Sequence, residues 1–305
     1  MVLFNLVAGK LAHIKEKPFV LEKNIQELVE NNLANLLNLE LVCSEFAIKN
    51  FRFDTVAFDR KSMAFVVIEY KRNQNFSVID QGYAYLSVML NNKSDFILEY
   101  NENCKDKLKK DSLDWSQSRV VFIAPSFSAY QKEAVNFKDL PISLWEIRRY
   151  ANSTISFNEI RKMGAPESIK TISKGNDKVS QVSREIVVYT EDDHVKSCNR
   201  EITELYQSLK EAILTFDDVE MIPRKLYIAF TVKGTNFVDI HFLKKGLKLW
   251  INLHKGELKD IENKARDVSN TGHWGNGDYE IQITTPAQLD YLMTLIKQSY
   301  IRHRE

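Results

Sequence analysis

The chain has 305 residues, of which 44% are hydrophobic and 27% charged. Those are ordinary values for a globular protein, so disordered and fibrous classes are excluded, and at about 100 to 200 residues per domain the length predicts two domains. The formal charge of +1 announces no nucleic-acid partner, so any such surface must be a local patch.

From Leu3 to Phe19 the sequence alternates around Gly9 and Lys10, which predicts a strand, a turn and a second strand. Leu21, Ile25, Leu28, Val29, Leu33, Leu36 and Leu37 then recur at helical spacing, predicting one long helix with one buried stripe. Phe51 to Phe58 and Ala64 to Tyr70 are β-rich runs separated by Asp59-Arg60-Lys61-Ser62, the pattern of a hairpin. Ser77 to Leu90 returns to helical period. Phe96 to Tyr100 and Val120 to Ala124 read as strands, Ser128 to Phe137 as a helix and Ile142 to Ile147 as a strand. Strands alternating with helices predict an α/β domain whose sheet has parallel members.

Gly164 to Arg184, with Pro166, Gly175 and Asn176, lacks strong periodicity and reads as a linker. A second unit starts with a helix from Arg200 to Phe216. Strands follow at Leu226 to Val232, Phe237 to Phe242, Leu247 to Leu253 and Tyr279 to Thr284, and a helix runs from Pro286 to Arg302. The expected division is a domain over 1–155, a linker over 156–198 and an α+β accessory domain over 199–305.

Cys43, Cys104 and Cys198 are scattered and never paired as C-x-x-C, so neither a disulfide framework nor a zinc knuckle is expected and a reducing cytoplasm fits. Val2 to Ala8 is too short for a secretory signal, and no run approaches about 18 apolar residues, so no membrane association is expected. Two lysine clusters, Lys105-Lys107-Lys109-Lys110 and Lys10-Lys15-Lys17-Lys23, each read alone as solvated faces. There is no phosphate-binding glycine loop and no G-x-S-x-G, and the six histidines show no H-x-x-x-H spacing.

The informative residues sit on the hairpin. Symmetric pairing about the Asp59 to Ser62 turn sets position 54 opposite 67 and 52 opposite 69, so Arg52, Asp54, Glu69 and Lys71 share one face. Asp54 and Glu69 are then diagonal neighbours, roughly 7 to 8 Å apart at their α-carbons, close enough to share a cation. The opposite face carries Val66, Ile68 and Tyr70. With helices on both sides, so charged a face calls for a functional explanation. Phosphodiester cleavage supplies one: Mg²⁺ is held by one or two carboxylates plus substrate phosphate, and an ammonium such as Lys71 can serve the attacking water. Glu22 falls on the buried arc of its helix, as a further carboxylate or as a first-turn acid stabilising the helix dipole. Gln81 and Tyr85, spaced i, i+4, can bind phosphate or hold Lys71, or serve the core.

Arg52-Phe53-Asp54, a turn and Val67-Ile68-Glu69-Tyr70-Lys71 resemble the D-x(n)-E-x-K signature of the PD-(D/E)XK nuclease superfamily. Gln81-Gly82-Tyr83-Ala84-Tyr85 is similar to the Q-x-x-x-Y element of its RecB-like branch. The resemblance covers about residues 1 to 150, with Phe53 where the family name has Pro. It implies a restriction-endonuclease-like mixed sheet flanked by helices, followed here by a smaller α+β domain. It also implies Mg²⁺, with Mn²⁺ substituting, held by Asp54, Glu69 and the Tyr70 backbone carbonyl. Lys71 would serve the nucleophile, Glu22 and Gln81 would assist, and Arg52 and Tyr85 would face substrate. The implied partner is DNA, cleaved in defence or repair, with a homodimer allowed by analogy. RNA is not excluded, because the metal recognises phosphate rather than sugar, and the alternative is an idle binding module that keeps the fold. Lys248 to Leu253 and His273 to Tyr279 resemble a domain of unassigned function found beside such nucleases. There Gly272, Gly275 and Gly277 read as a tight turn against which His273 and Trp274 pack, with His273 and Asp278 as an acid-base or ligand pair in the other reading.

Overall fold

The computed structural model describes residues 2–72, 77–137, 139–160, 167–169 and 177–304. Contacts divide the chain into two units, Met1–Val188 and Tyr189–Glu305.

In the first unit the hairpin runs become the middle of a six-stranded mixed sheet, in the order β3 (Glu40–Ile48), β4 (Phe51–Asp59), β5 (Ala64–Tyr70), β6 (Arg119–Ala124), β7 (Ile142–Arg149) and β8 (Ile155–Glu159). β5, β6 and β7 are parallel and the remaining neighbours antiparallel. Every residue of β5 is buried, as a central strand covered on both faces requires. One face packs Ala57, Val66, Ile68 and Val121 against Ile25, Val29 and Leu33 of helices α1 (Glu22–Glu30) and α2 (Leu33–Leu37). The other packs Phe58, Phe65, Val67 and Phe122 against Leu86, Met89, Phe96 and Tyr100 of α3 (Val78–Asn91) and α4 (Lys93–Asn103). A separate antiparallel hairpin, β1 (Leu3–Val7) with β2 (Lys10–Ile14), precedes them and turns at Ala8 and Gly9, both at positive φ.

Several expectations need correcting. The long helix breaks after Glu30, where the Asn32 side chain bonds back to the Leu28 carbonyl at 2.8 Å; asparagine amides compete in this way with the helical ladder. Phe96 to Tyr100 is helical, its two aromatics being buried neighbours one turn apart on α4. β3 was not foreseen: Glu40, Ser44 and Glu45 interrupt its apolar alternation, and Glu45 takes a positive φ of 55°. The hairpin pairs Thr55 with Ile68 and Asp59 with Ala64, so its turn is Arg60–Met63 and the register is two residues away from the symmetric one. Met63 takes the left-handed conformation, and the buried Asp59 carboxylate receives the Lys61 and Ser62 N–H groups and the Arg119 guanidinium. A slip of two leaves every side chain on its expected face, because the strand period is two. Within the expected linker 156–198, β8 joins the sheet, and helix α6 (Asp177–Glu185, after the short α5, Ala129–Ala134) buries Val179 and Val182 in the first core. The boundary therefore lies at 188 and 189. Gly164, Pro166, Gly175 and Asn176 lie outside the described residues.

The second unit is an antiparallel six-stranded sheet in the order β13 (Arg266–Asp267), β14 (Tyr279–Ile283), β12 (Gly246–Ile251), β11 (Thr235–Leu243), β10 (Ile228–Val232) and β9 (Val219–Pro223). After the short α7 (Glu191–Val195), helices α8 (Arg200–Ile213) and α9 (Leu289–Arg304) cover one face through Leu205, Leu209, Leu292 and Leu295. Gly277 sits at φ +87°, and a β-carbon there would stand 2.2 Å from the Ile251 carbonyl. Gly277→Ala is therefore expected to destabilise this unit by about 3 kcal/mol in urea denaturation. Gly272→Ala, with nothing within 4 Å, serves as the neutral control. No helix among the described residues is long and apolar enough to cross a membrane.

Candidate active site

The β4–β5 ladder stops at Thr55 and Ile68. Continued by one step it would set Asp54 opposite Glu69, but there the strands part. The Tyr70 N–H donates to Asp54 Oδ2 at 3.0 Å instead of to a strand carbonyl. The Lys71 N–H meanwhile reaches the Ile123 carbonyl at 2.9 Å, so β5 keeps its register with β6. Asp54 is braced from α1: buried Gln26 donates to the Asp54 carbonyl at 2.9 Å and to Glu30 Oε1 at 3.0 Å, and Thr55 donates to the same Glu30 oxygen at 2.5 Å.

Glu69 is 3% exposed. Its Oε1 accepts from Lys71 Nζ at 2.6 Å and from Gln81 Nε2 at 3.0 Å, and that amide also donates to the Tyr85 hydroxyl at 2.9 Å. Glu69 Oε2 is buried without a hydrogen-bond partner among the described residues. Gln81 comes into reach because Ser77 caps the start of α3 and because Gly82 lets the helix press on the sheet, where a β-carbon would stand 2.5 Å from Ile142.

Both carboxyls titrate above their ordinary range. Burial and then the charge of Asp54 push Glu69 up, against the pull of Lys71 and Tyr85. Burial pushes Asp54 up, the Tyr70 N–H and Lys71 pull it back, and Glu45 and Glu22 add repulsion. Burial and the Glu69 charge raise the Tyr85 phenol as well.

The fold thus gathers Asp54, Glu69, Lys71, Gln81 and Tyr85. Glu22 lies beside them, its Oε1 accepting the Arg72 N–H at 2.8 Å. Arg52 is not brought in: its guanidinium pairs with Glu45 at 2.5 Å and its side chain is 68% exposed. The brace of Gln26, Glu30 and Thr55 was missed, although Gln26 and Glu30 stand i, i+4 and so form a legible polar pair on α1. Among the described residues no group of three or more His, Cys, Asp or Glu side chains gathers as a metal cluster, so a cation here would rest on two carboxylates and main-chain oxygen. In the second unit His273 Nδ1 lies 3.0 Å from the Gly275 carbonyl and Asp278 receives the Lys255 N–H, so the two are engaged separately.

A Haemophilus influenzae protein, described as uncharacterized, is 50% identical over 300 residues, covering 98% of this chain and 99% of its own. The chain belongs to the family of that protein. Residues 191–302 also match the model of a domain of unknown function, DUF5655. Among solved structures, the EndoMS-dsDNA2 complex is 17% identical over 40% of this chain and 44% of that one, with a TM-score of 0.27. A repair endonuclease from Pyrococcus abyssi is 17% identical over 40% and 45%, at 0.23. The family member thus aligns along nearly its whole length, whereas the chain spans less than half of either solved chain.

Proposed function

We propose that the first unit is a metal-dependent nuclease that hydrolyses DNA phosphodiester bonds, in defence or repair. The observation that carries this reading is Glu69: one oxygen is held by Lys71 and Gln81, the other is buried and unbonded, and the group is crowded by a second buried carboxyl. Two like charges in such a place are unfavourable until a proton or a cation joins them.

The donor set suits a hard cation. Asp54, Glu69 and the Tyr70 carbonyl would hold Mg²⁺, or Mn²⁺ in its place, leaving positions for water and a phosphate oxygen. The N–H and C=O of one strand residue face the same neighbour, so the Tyr70 carbonyl lies on the side where β4 has parted from β5. When bound, the ion supplies Lewis acidity to the phosphodiester. Lys71, its ammonium against Glu69, would stabilise the negative charge that the attacking oxygen gains, while that oxygen's proton leaves to solvent. Gln81 and Tyr85 orient Glu69, Gln26 fixes the Asp54 main chain, and Glu22 secures the turn after Lys71. Arg52, exposed and paired with Glu45, stands outside this set.

Calorimetric titration with Mg²⁺ and Mn²⁺, beside digestion of single-stranded and duplex DNA and RNA of one sequence, tests the reading. Expected are one saturable site lost in Glu69→Gln, and DNA cleavage that stops with chelator. Absence of both the site and any cleavage with either metal overturns it.

A further inference from the structure

On the second sheet, the face opposite α8 and α9 carries Asp239, His241, Lys248, Trp250 and Glu280 in adjacent cross-strand pairs. The loop between β13 and β14 folds back over it and is firmly tied. The Asn276 main-chain and side-chain N–H groups donate to buried Asp239 at 2.6 and 2.8 Å, and Asn236 donates to the other oxygen at 2.8 Å. Gly275 lies against the Trp250 ring, where a β-carbon would stand 2.4 Å away, and His273 stacks on that indole with an interplanar angle of 20°. The residue left outside is Trp274, 56% exposed. It stands edge-on to His241 at 5.0 Å between centroids, and His241 is itself pinned to the Leu226 carbonyl at 2.5 Å. Trp274 is thus a presented ring on an anchored loop, with little ordering left to do on binding.

One exposed aromatic is common and means little alone; the charge around this one is the second observation. Lys244 and Lys245 form the hairpin turn after β11 and Lys225 precedes Leu226, while Lys248, the cross-strand partner of His241, is paired with Glu280 at 3.3 Å. Residues 189–305 hold 16 Lys and Arg against 18 Asp and Glu, so the unit as a whole is slightly acidic and the lysines at this corner are a local concentration. A flat ring beside a rim of cations fits a base face beside its phosphates.

We infer that the second unit carries a stacking site for an unpaired nucleobase of a single-stranded polynucleotide, with Trp274 as the platform, His241 as its support and Lys225, Lys244 and Lys245 as the phosphate-facing rim. A paired base has both faces covered within its helix, so a duplex offers this ring nothing to stack on. The site does not depend on the catalytic reading of the first unit.

The test uses the full chain carrying Glu69→Gln, in chelator, with tryptophan emission and oligonucleotide anisotropy read together. Single-stranded DNA and RNA of one sequence, separate arms that identify the favoured sugar, are expected to quench emission saturably, and the duplex is not. Trp274→Ala should abolish the quench and weaken single-strand binding about tenfold, while Trp274→Phe restores most of the affinity. Lys244→Glu with Lys245→Glu should weaken binding and flatten its salt dependence. Trp274→Ala with unchanged melting and unchanged single-strand affinity overturns the inference. So does inorganic polyphosphate competing as well as the oligonucleotide, or an absence of any quench, which would leave this corner to a protein partner. A catalytically dead protein that still shows the quench separates this inference from the nuclease reading.

Discussion

Glu69→Gln and Asp54→Asn should each lower metal-dependent cleavage by about a thousandfold or more, in single-turnover assays at saturating Mg²⁺. Each substitution removes one of the two charges that would hold the cation, and metal stabilisation of a phosphoryl transition state is worth several kcal/mol at 1.36 kcal/mol per tenfold. The amide replacements keep the hydrogen bonds that shape the site. Asn at 54 still offers an oxygen to the Tyr70 N–H, and Gln at 69 can still face Gln81. Lost activity with unchanged circular dichroism and melting would therefore report on charge and not on folding. Lys71→Ala should cost about a hundredfold or more with little change in metal affinity, because its ammonium serves the attacking oxygen. Parental turnover in Glu69→Gln would remove the candidate centre from consideration.

Without divalent ions, the protein should lose stability as pH rises through the titration of this carboxylate pair. An acid whose value in the folded state lies above its unfolded one binds its proton more tightly when folded. Its contribution is therefore complete below the ordinary values of 3.8 for Asp54 and 4.5 for Glu69, and fades as pH climbs through the raised folded values. Above those raised values both groups are ionised, buried and mutually repelling. Mg²⁺ at a hundred times its Kd should return about 2.7 kcal/mol. Once pH has passed the titration of the pair, Glu69→Gln should melt higher than the parent in chelator, show a flatter pH profile and gain nothing from Mg²⁺. Comparing parent and variant at each pH isolates this pair from every other titrating group. A variant that melts lower than its parent under those conditions, or one that keeps the Mg²⁺ shift, would contradict the arrangement drawn from Glu69.

Much of the candidate site was legible because its signals survive errors of detail. The hairpin turn is one residue later than the polar run suggested and the register two residues away, yet the faces of Glu69 and Lys71 are as expected because alternation ignores even slips. Helical spacing put Gln81 and Tyr85 on one face but left a core role open, and the resemblance to the Q-x-x-x-Y element is what implied a place in the site. Arg52 keeps its strand parity, being paired with Ala47 of β3, but alternation does not show that its exposed guanidinium pairs with Glu45. Phe96 and Tyr100 show a different limit: a short aromatic run suits strand or helix, and only its burial against Phe58 and Phe65 decides. The Gln26 brace was hidden because an amide on an amphipathic helix reads as surface until the backbone it bonds is known.

The parting of β4 from β5 also gives one main-chain atom an unusual job. The Tyr70 amide proton is shielded by the carboxylate of Asp54 and not by the neighbouring strand. Its exchange with deuterium therefore tracks the position and charge of that acid, whereas the Lys71 amide, bonded to Ile123, tracks the opening of the sheet. Two adjacent amides of one strand thus separate motion at the candidate centre from motion of the scaffold that holds it.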